Sequence, residues 1–278
     1  MNQLTVLAES QEETAGSANP AGGRRRLRLP AWARLVSPAV LLVVWQLSSS
    51  LGLIPTRTLA SPAAVAEAAW RLTLSGELPL GLAVSLLRVS IGFGLGLIIG
   101  TVLATVSGLS RLGETIVDPL VQMLKALPFL GLLPLFILWF GIGELPKVLL
   151  VAIGAMMPIY LTLFGGIRNI DAQWLDVGRV LAMSRRATIV KVMLPAALPS
   201  LLVGVRYGLS VAWLSLVVGE QINASSGIGA IITAARDFLQ TDVIVVCLVV
   251  YAMLGLLTDA LVRLIEARLL NWRPSIAS

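Results

Sequence analysis

Histidine is absent from the 278 residues, and cysteine occurs once, at Cys247. The first absence removes the commonest general base and the commonest transition-metal ligand together. The single cysteine lies inside an apolar block and excludes an intrachain disulfide. Charge is also scarce: Asp, Glu, Lys and Arg make up 13% of the chain, against about a quarter in soluble domains. No Gly-x-x-x-x-Gly-Lys-Ser/Thr run occurs, so the chain cannot hold ATP on a phosphate loop of that kind. What fills the sequence is apolar: 57% of residues, with a mean hydropathy of +0.89.

The apolar residues come in blocks such as 82–106 and 243–257, long enough as helices to cross roughly 30 Å of hydrocarbon. We read an all-α polytopic membrane protein of about six spans: 36–54, 80–108, 119–140, 146–167, 199–219 and 243–265. Proline and glycine punctuate most of these boundaries, as expected where helices start and stop. Between the first two spans, Ser61 precedes Pro62, and Val65, Ala69 and Leu72 recur at helical spacing. This predicts a short capped helix over 61–78 lying on the membrane surface. Residues 1–35 are polar, then basic (Arg24, Arg25, Arg26, Arg28, Arg34), and are expected to be a disordered cytoplasmic lead-in. The apolar stretch that follows runs on toward Ile54, which favours a retained first span over a cleaved signal. The permease domain is then 36–268, with a cytoplasmic tail at 269–278.

The formal charge is +6 and the isoelectric point about 10.2. The basic residues sit at the ends of apolar blocks and show no aromatic-interleaved face, so membrane orientation accounts for them and nucleic acid does not. With the N-terminus inside, fourteen Lys and Arg fall on the cytoplasmic side, Arg179, Arg185, Arg186, Lys191 and Arg263 among them. Four (Arg57, Arg71, Lys147, Arg236) fall outside, and three lie within spans. That bias places both termini in the cytoplasm.

Gly92, Gly96, Gly100, Ala104 and Gly108 put a small residue at every fourth position of the second span, and Gly204 and Gly208 repeat the device in the fifth. Such stripes let another backbone approach closely, either within the subunit, which is the simpler account, or across a subunit interface. No internal repeat is visible, which weakens a secondary transporter built from inverted halves.

The loop 168–198 is far longer than a helix connection requires. Asp171 can cap a helix from Ala172 with Trp174, Leu175, Val177 and Leu181 on its apolar side. Ser184 can cap a second helix, 185–194, ending at Pro195. An elbow at 182–184 beside Arg179, Arg185, Arg186 and Lys191 has the makings of a docking element.

The run Asp176-Val177-Gly178-Arg179-Val180-Leu181-Ala182-Met183-Ser184, followed by Val192-Met193-Leu194-Pro195, resembles the EAA loop of ABC importer permeases. Asp176 stands where Glu is usual, and Ala182 where the turn glycine is usual. A left-handed alanine would cost on the order of 1 kcal/mol, so a slightly different turn geometry is expected. The likeness extends from Trp45 onward, through Ser85-x-x-Arg88-x-x-x-Gly92-Phe93, Leu127-Pro128, Leu138-Trp139-Phe140-Gly141-Ile142, Gly227-Ile228-Gly229 and Phe238-Leu239-Gln240-Thr241-Asp242. These segments are similar to the nitrate, sulfonate and taurine branch, above all to permeases for aliphatic sulfonates.

The resemblance implies a type I importer permease fold in the inner membrane of a bacterium, working as a homodimer with a second copy of itself among membrane lipid. It implies two ATPase subunits that carry ATP and Mg, no cofactor in this chain, and an extracytoplasmic solute-binding protein. It also assigns Asp171, Asp176, Val177, Gly178, Arg179, Ala182, Met183, Ser184, Arg185, Leu194 and Pro195 to the coupling loop. Other small anions or zwitterions (taurine, nitrate) remain alternatives, with a secondary transporter behind them.

Arg88, Lys125 and Arg206 fall within predicted spans, where a basic residue costs roughly 2.5–3.5 kcal/mol unless it meets protein or water. Each can line an anion path or be held structurally. Arg88 fits snorkelling or a structural partner better, Lys125 precedes the helix break at Leu127-Pro128, and Arg206 is the strongest pathway candidate. Trp213 and Glu220, near the end of the fifth span, can gate the outer mouth or anchor a loop. On the loop 223–242, Asn223, Ser226, Arg236 and Asp237 are the candidates for meeting a binding protein. A membrane enzyme is disfavoured, because Lys125 has no serine within a helical turn. An ion-coupled carrier is disfavoured because the carboxylates lie near span ends.

Overall fold

The computed structural model describes residues 33–270. By internal contacts the chain divides within its first helix, α1 (Ala33–Ser50), into Met1–Val44 and Trp45–Ser278. Everything below concerns the second unit. The expected lead-in 1–35 and tail 269–278 lie almost wholly outside the described residues.

Ser61 accepts from the Ala64 N–H at 3.2 Å and caps α2 (Pro62–Leu74), with Pro62 at the first helical position, where its missing N–H costs nothing. Gly76 then takes a left-handed turn, φ 81°, into α3 (Glu77–Leu109). α3 has 33 residues, about 50 Å of helix, more than the hydrocarbon needs. Ser110 caps α4 (Arg111–Ala126), which stops at Leu127-Pro128. A 3₁₀ turn (Phe129–Leu132) and α5 (Leu133–Phe140) follow at an 87° bend. The expected single span 119–140 is therefore a broken pair, because Pro128 supplies no N–H and clashes with the preceding turn. Beyond it run α6 (Glu144–Arg168), α7 (Ala172–Val180), α8 (Arg185–Thr188), α9 (Leu194–Asn223), α10 (Ile228–Asp237) and α11 (Thr241–Leu269).

Four helices (α3, α6, the run 185–222, and α11) are long and apolar enough to cross a membrane, and the bent pair makes up to five. The sixth expected span, α1, contains only a shorter apolar helix, Val36–Ser50. No strand occurs among the described residues.

α6 is the most buried of the long helices and forms the spine. The glycine stripe of α3 lies along one side of it: a Cβ on Gly92 would stand 2.7 Å from the Val151 side chain, one on Gly100 2.9 Å from the Met156 carbonyl, and one on Gly108 2.7 Å from Ile167. On the other side, a Cβ on Gly208 of α9 would stand 3.0 Å from the Ala155 carbonyl. Both stripes are seams within one subunit, cut so that three backbones pack almost in contact. α2 lays Ala68 and Leu72 into the apolar core shared with α3, α9, α10 and α11.

Candidate functional site

Buried charges gather where one end of α3 meets the start of α6, the end of α9 and α10. Arg88, 3% exposed, uses all five of its N–H groups. Nε and Nη2 donate to the two oxygens of Glu144, the latter at 2.7 Å. Nη1 donates to Glu220 Oε1 at 2.6 Å and the Ser226 carbonyl at 2.7 Å, and Nη2 also reaches Ser226 Oγ at 2.8 Å. Glu220 is fully buried and equally occupied. It accepts from Ser85 Oγ at 2.8 Å, from Arg88, from the Gly229 N–H at 3.0 Å and from the Tyr251 hydroxyl at 2.7 Å. Buried Lys147 donates to the more exposed Glu144 at 2.9 Å, so two cations face two anions.

Gly227 closes this network with φ 95°, where a side chain is strained and a Cβ would stand 2.6 Å from Glu220 Oε1. Arg88 has no N–H left for a passing solute, and the buried Glu220 is out of its reach. Arg88 and Glu220, expected as pathway candidates, are instead a clamp across α3, α6, α9, α10 and α11.

Sequence reasoning counted Lys147 on the outer side, quoted Ser85 only as part of the family likeness, and passed over Glu144 and Tyr251. The legible signal was polar pairs three residues apart, Ser85/Arg88 and Glu144/Lys147, each on one helix face inside apolar sequence.

Midway along the bundle the other candidates separate. Arg206 Nε lies 2.6 Å from Asp259, which also holds Arg263 at 3.1 Å. Trp213 is buried in the core, donating its indole N–H to Thr258 at 3.1 Å, and so serves neither as a mouth gate nor as an interface anchor. Lys125, in the last turn of α4, is exposed and has no hydrogen-bond or ion-pair partner among the described residues. It borders a cavity of about 480 Å³ at the helix break.

In the loop, Asp171 caps α7 by accepting from the Gln173 N–H at 3.0 Å, and Ser184 caps α8 by accepting from Ala187 at 3.3 Å. Arg179 pairs with Asp176 at 2.9 Å. The elbow between them is a Schellman turn: the Met183 N–H bonds the Gly178 carbonyl and the Ala182 N–H bonds Arg179, each at 2.9 Å. Ala182 sits at the glycine position of that turn with φ 46°. The expected departure in geometry therefore does not occur; alanine accepts the left-handed conformation because both bonds close around it.

Nor does the second helix end at Pro195. A π turn, Ile189–Met193, carries α8 into α9 with Pro195 in the first turn, where the missing N–H is tolerated. Trp174, Val177, Val180 and Leu181 are all exposed, Val180 at 85%. Four apolar side chains open to water on a two-turn helix are what an uncovered partner surface looks like. At the opposite end, Ser226 is engaged by Arg88, while Arg236 and Asp237 are exposed at the close of α10. The Asn223 side chain lies outside the described residues.

The sequence finds its match in known proteins. Residues 92–271 match the family described as binding-protein-dependent transport system inner membrane component. The chain is 43% identical over 254 residues to an aliphatic sulfonates transport permease protein of Bacillus subtilis, covering 91% of each chain. It is 47% identical over 249 residues to one of Escherichia coli, covering 90% of this chain and 94% of that one. A taurine transport system permease protein of Escherichia coli is 33% identical, with 86% and 88% covered. Among solved structures, the crystal structure of an amino acid ABC transporter with histidines superposes at a TM-score of 0.58 with 17% identity, covering 71% of this chain and 96% of that one. At this identity it speaks for the fold alone.

Proposed function

We propose, from the fact that this chain belongs to the inner-membrane components of binding-protein-dependent transport systems, that it is the channel-forming subunit through which an ABC importer takes up aliphatic sulfonates. The observation that carries the solute is the pair of relatives named for aliphatic sulfonates at 43% and 47% identity across nine-tenths of the chain, against 33% for the one named for taurine. The chain itself is a transport subunit of the inner membrane.

Two copies, two ATPase subunits carrying ATP and Mg, and an extracytoplasmic binding protein complete the assembly in this reading. The loop 171–195 faces the cytoplasm in this reading, which the bias of Lys and Arg toward that side supports. Its exposed Val177, Val180 and Leu181 seat in the ATPase, and Arg179 and Arg185 steer the approach. Closure of the ATPase pair on ATP pulls on the two loops, and the bundles rock so that access alternates. Arg236 and Asp237 are offered to the binding protein.

The test is uptake into vesicles holding the chain with its ATPase and binding protein, comparing an alkanesulfonate with taurine and nitrate. Alkanesulfonate accumulation that requires ATP is expected, and preference for nitrate or taurine would overturn the solute. The double variant Arg179→Glu/Ala182→Asp should abolish that accumulation, and undiminished uptake would overturn coupling through the loop.

A further inference from the structure

Arg88 and Lys147 are neutralised by Glu144 and Glu220, and Arg206 by Asp259. Lys125 has no such partner among the described residues. Its surroundings are also distinctive. The cavity it borders, about 480 Å³, is walled by Leu124, Leu127, Met157, Leu161 and Val211, with the Tyr207 ring among them.

The depth of that cavity follows from the helices that line it. Gly154 and Pro158 lie at the middle of the 25 residues of α6, and Tyr207 and Val211 near the middle of the 30 residues of α9. The break at Leu127-Pro128 opens the space by turning the chain away through 87°. An uncompensated ammonium at that depth is costly unless water or a counter-ion meets it, which is why such residues mark solute paths. The volume lies within the range of about 300–1,000 Å³ typical of small-molecule sites.

We propose that this cavity is the mid-membrane resting site of the solute, resting on the sulfonate reading above. A sulfonate head presents a permanent negative charge and three acceptor oxygens, which the three N–H donors of Lys125 match, and the Tyr207 hydroxyl adds a further donor. The aliphatic wall takes the alkyl chain. The site recognises an amphiphilic anion, a charge with a short apolar tail, and Lys125 is the group that reads the charge.

The experiment uses the full complex in vesicles and measures uptake of ethanesulfonate and pentanesulfonate. Lys125→Gln should lower uptake of both by about tenfold or more, the loss of a single good charge contact. Lys125→Arg should retain uptake, and both complexes should be recovered in wild-type amount. Leu161→Trp, which narrows the apolar wall, should reduce pentanesulfonate uptake more than ethanesulfonate uptake. Wild-type uptake by Lys125→Gln would overturn the proposal. So would loss of assembled complex in both Lys125 variants, which would make the residue part of the fold. If the unaltered complex carries taurine or nitrate and no alkanesulfonate, the sulfonate reading alone falls. The Lys125→Gln and Lys125→Arg pair, measured on that solute, then decides whether this lysine meets its charge.

Discussion

Replacing Glu220 with glutamine tests the buried clamp at its centre. The substitution keeps shape and removes one charge. In the wild type the carboxylate accepts from Ser85, Arg88, the Gly229 N–H and the Tyr251 hydroxyl, in a site with no solvent exposure. An amide has one oxygen, so one side of the set now meets a donor. The Gly229 N–H, buried in the first turn of α10, cannot turn away and is left facing an NH₂ group. Breaking one partner of a buried ion pair costs about 3–5 kcal/mol, and a stranded buried donor alone about 1–3 kcal/mol. The two overlap, so a total near 3–5 kcal/mol is expected. As a comparison, Arg71→Ala removes an ion pair of 3.4 Å with 61% and 27% exposure of its partners, which solvent screening holds to about 1 kcal/mol or less. Thermal loss of the monodisperse peak in mild detergent should therefore fall on the order of 10 °C for Glu220→Gln and barely move for Arg71→Ala. Equal shifts for the two variants would refute the clamp.

Three further outcomes rest on packing and backbone geometry. Gly96→Leu drives a side chain into the Ala152 carbonyl and Ala155, whose Cβ would stand 2.9 Å from the new one; overpacking of about 3 kcal/mol is expected, read as loss of monodisperse protein. Gly94→Ala meets nothing within 4 Å and should keep full yield with a gain of about 0.5–1 kcal/mol in helix stability. Ala182→Gly relieves the left-handed strain at φ 46°, worth about 1 kcal/mol less the added freedom of the unfolded glycine, and should slow amide exchange at Met183 while leaving uptake intact.

What the sequence made legible was whatever depends on local pattern. The helix α2 with its Ser61 cap, the two capped helices of the loop and the glycine stripes could all be read, because each is fixed by residues within a turn or two of one another. The break at Pro128 could be read too, but not its angle, which tertiary packing sets. The clamp was the least legible part. Arg88 lies 132 positions from Glu220 and 56 from Glu144, and no local rule announces that three helix ends converge. Reasoning from each residue alone left Arg88 and Glu220 open as pathway groups. It ranked Arg206 above Lys125, because the Asp259 that neutralises Arg206 is 53 positions away.

The two glycine seams and the clamp have a joint consequence for movement. Along α3 and α9 the close contacts are to the backbone and short side chains of α6, and at one end the same three helices are tied by a saturated set of charges. Sliding or parting them would open close-packed contacts and separate paired charges together, and each loss alone is a large fraction of a domain's stability. Such a body moves as one. The broken α4–α5 pair and the α7–α8 elbow are different: the first is interrupted by a proline, and the second presents four apolar side chains that nothing among the described residues covers. Compliance therefore sits at the loop that would receive force and at the break beside Lys125. A pull on the elbow would thus be transmitted through a stiff spine to the cavity beside that break.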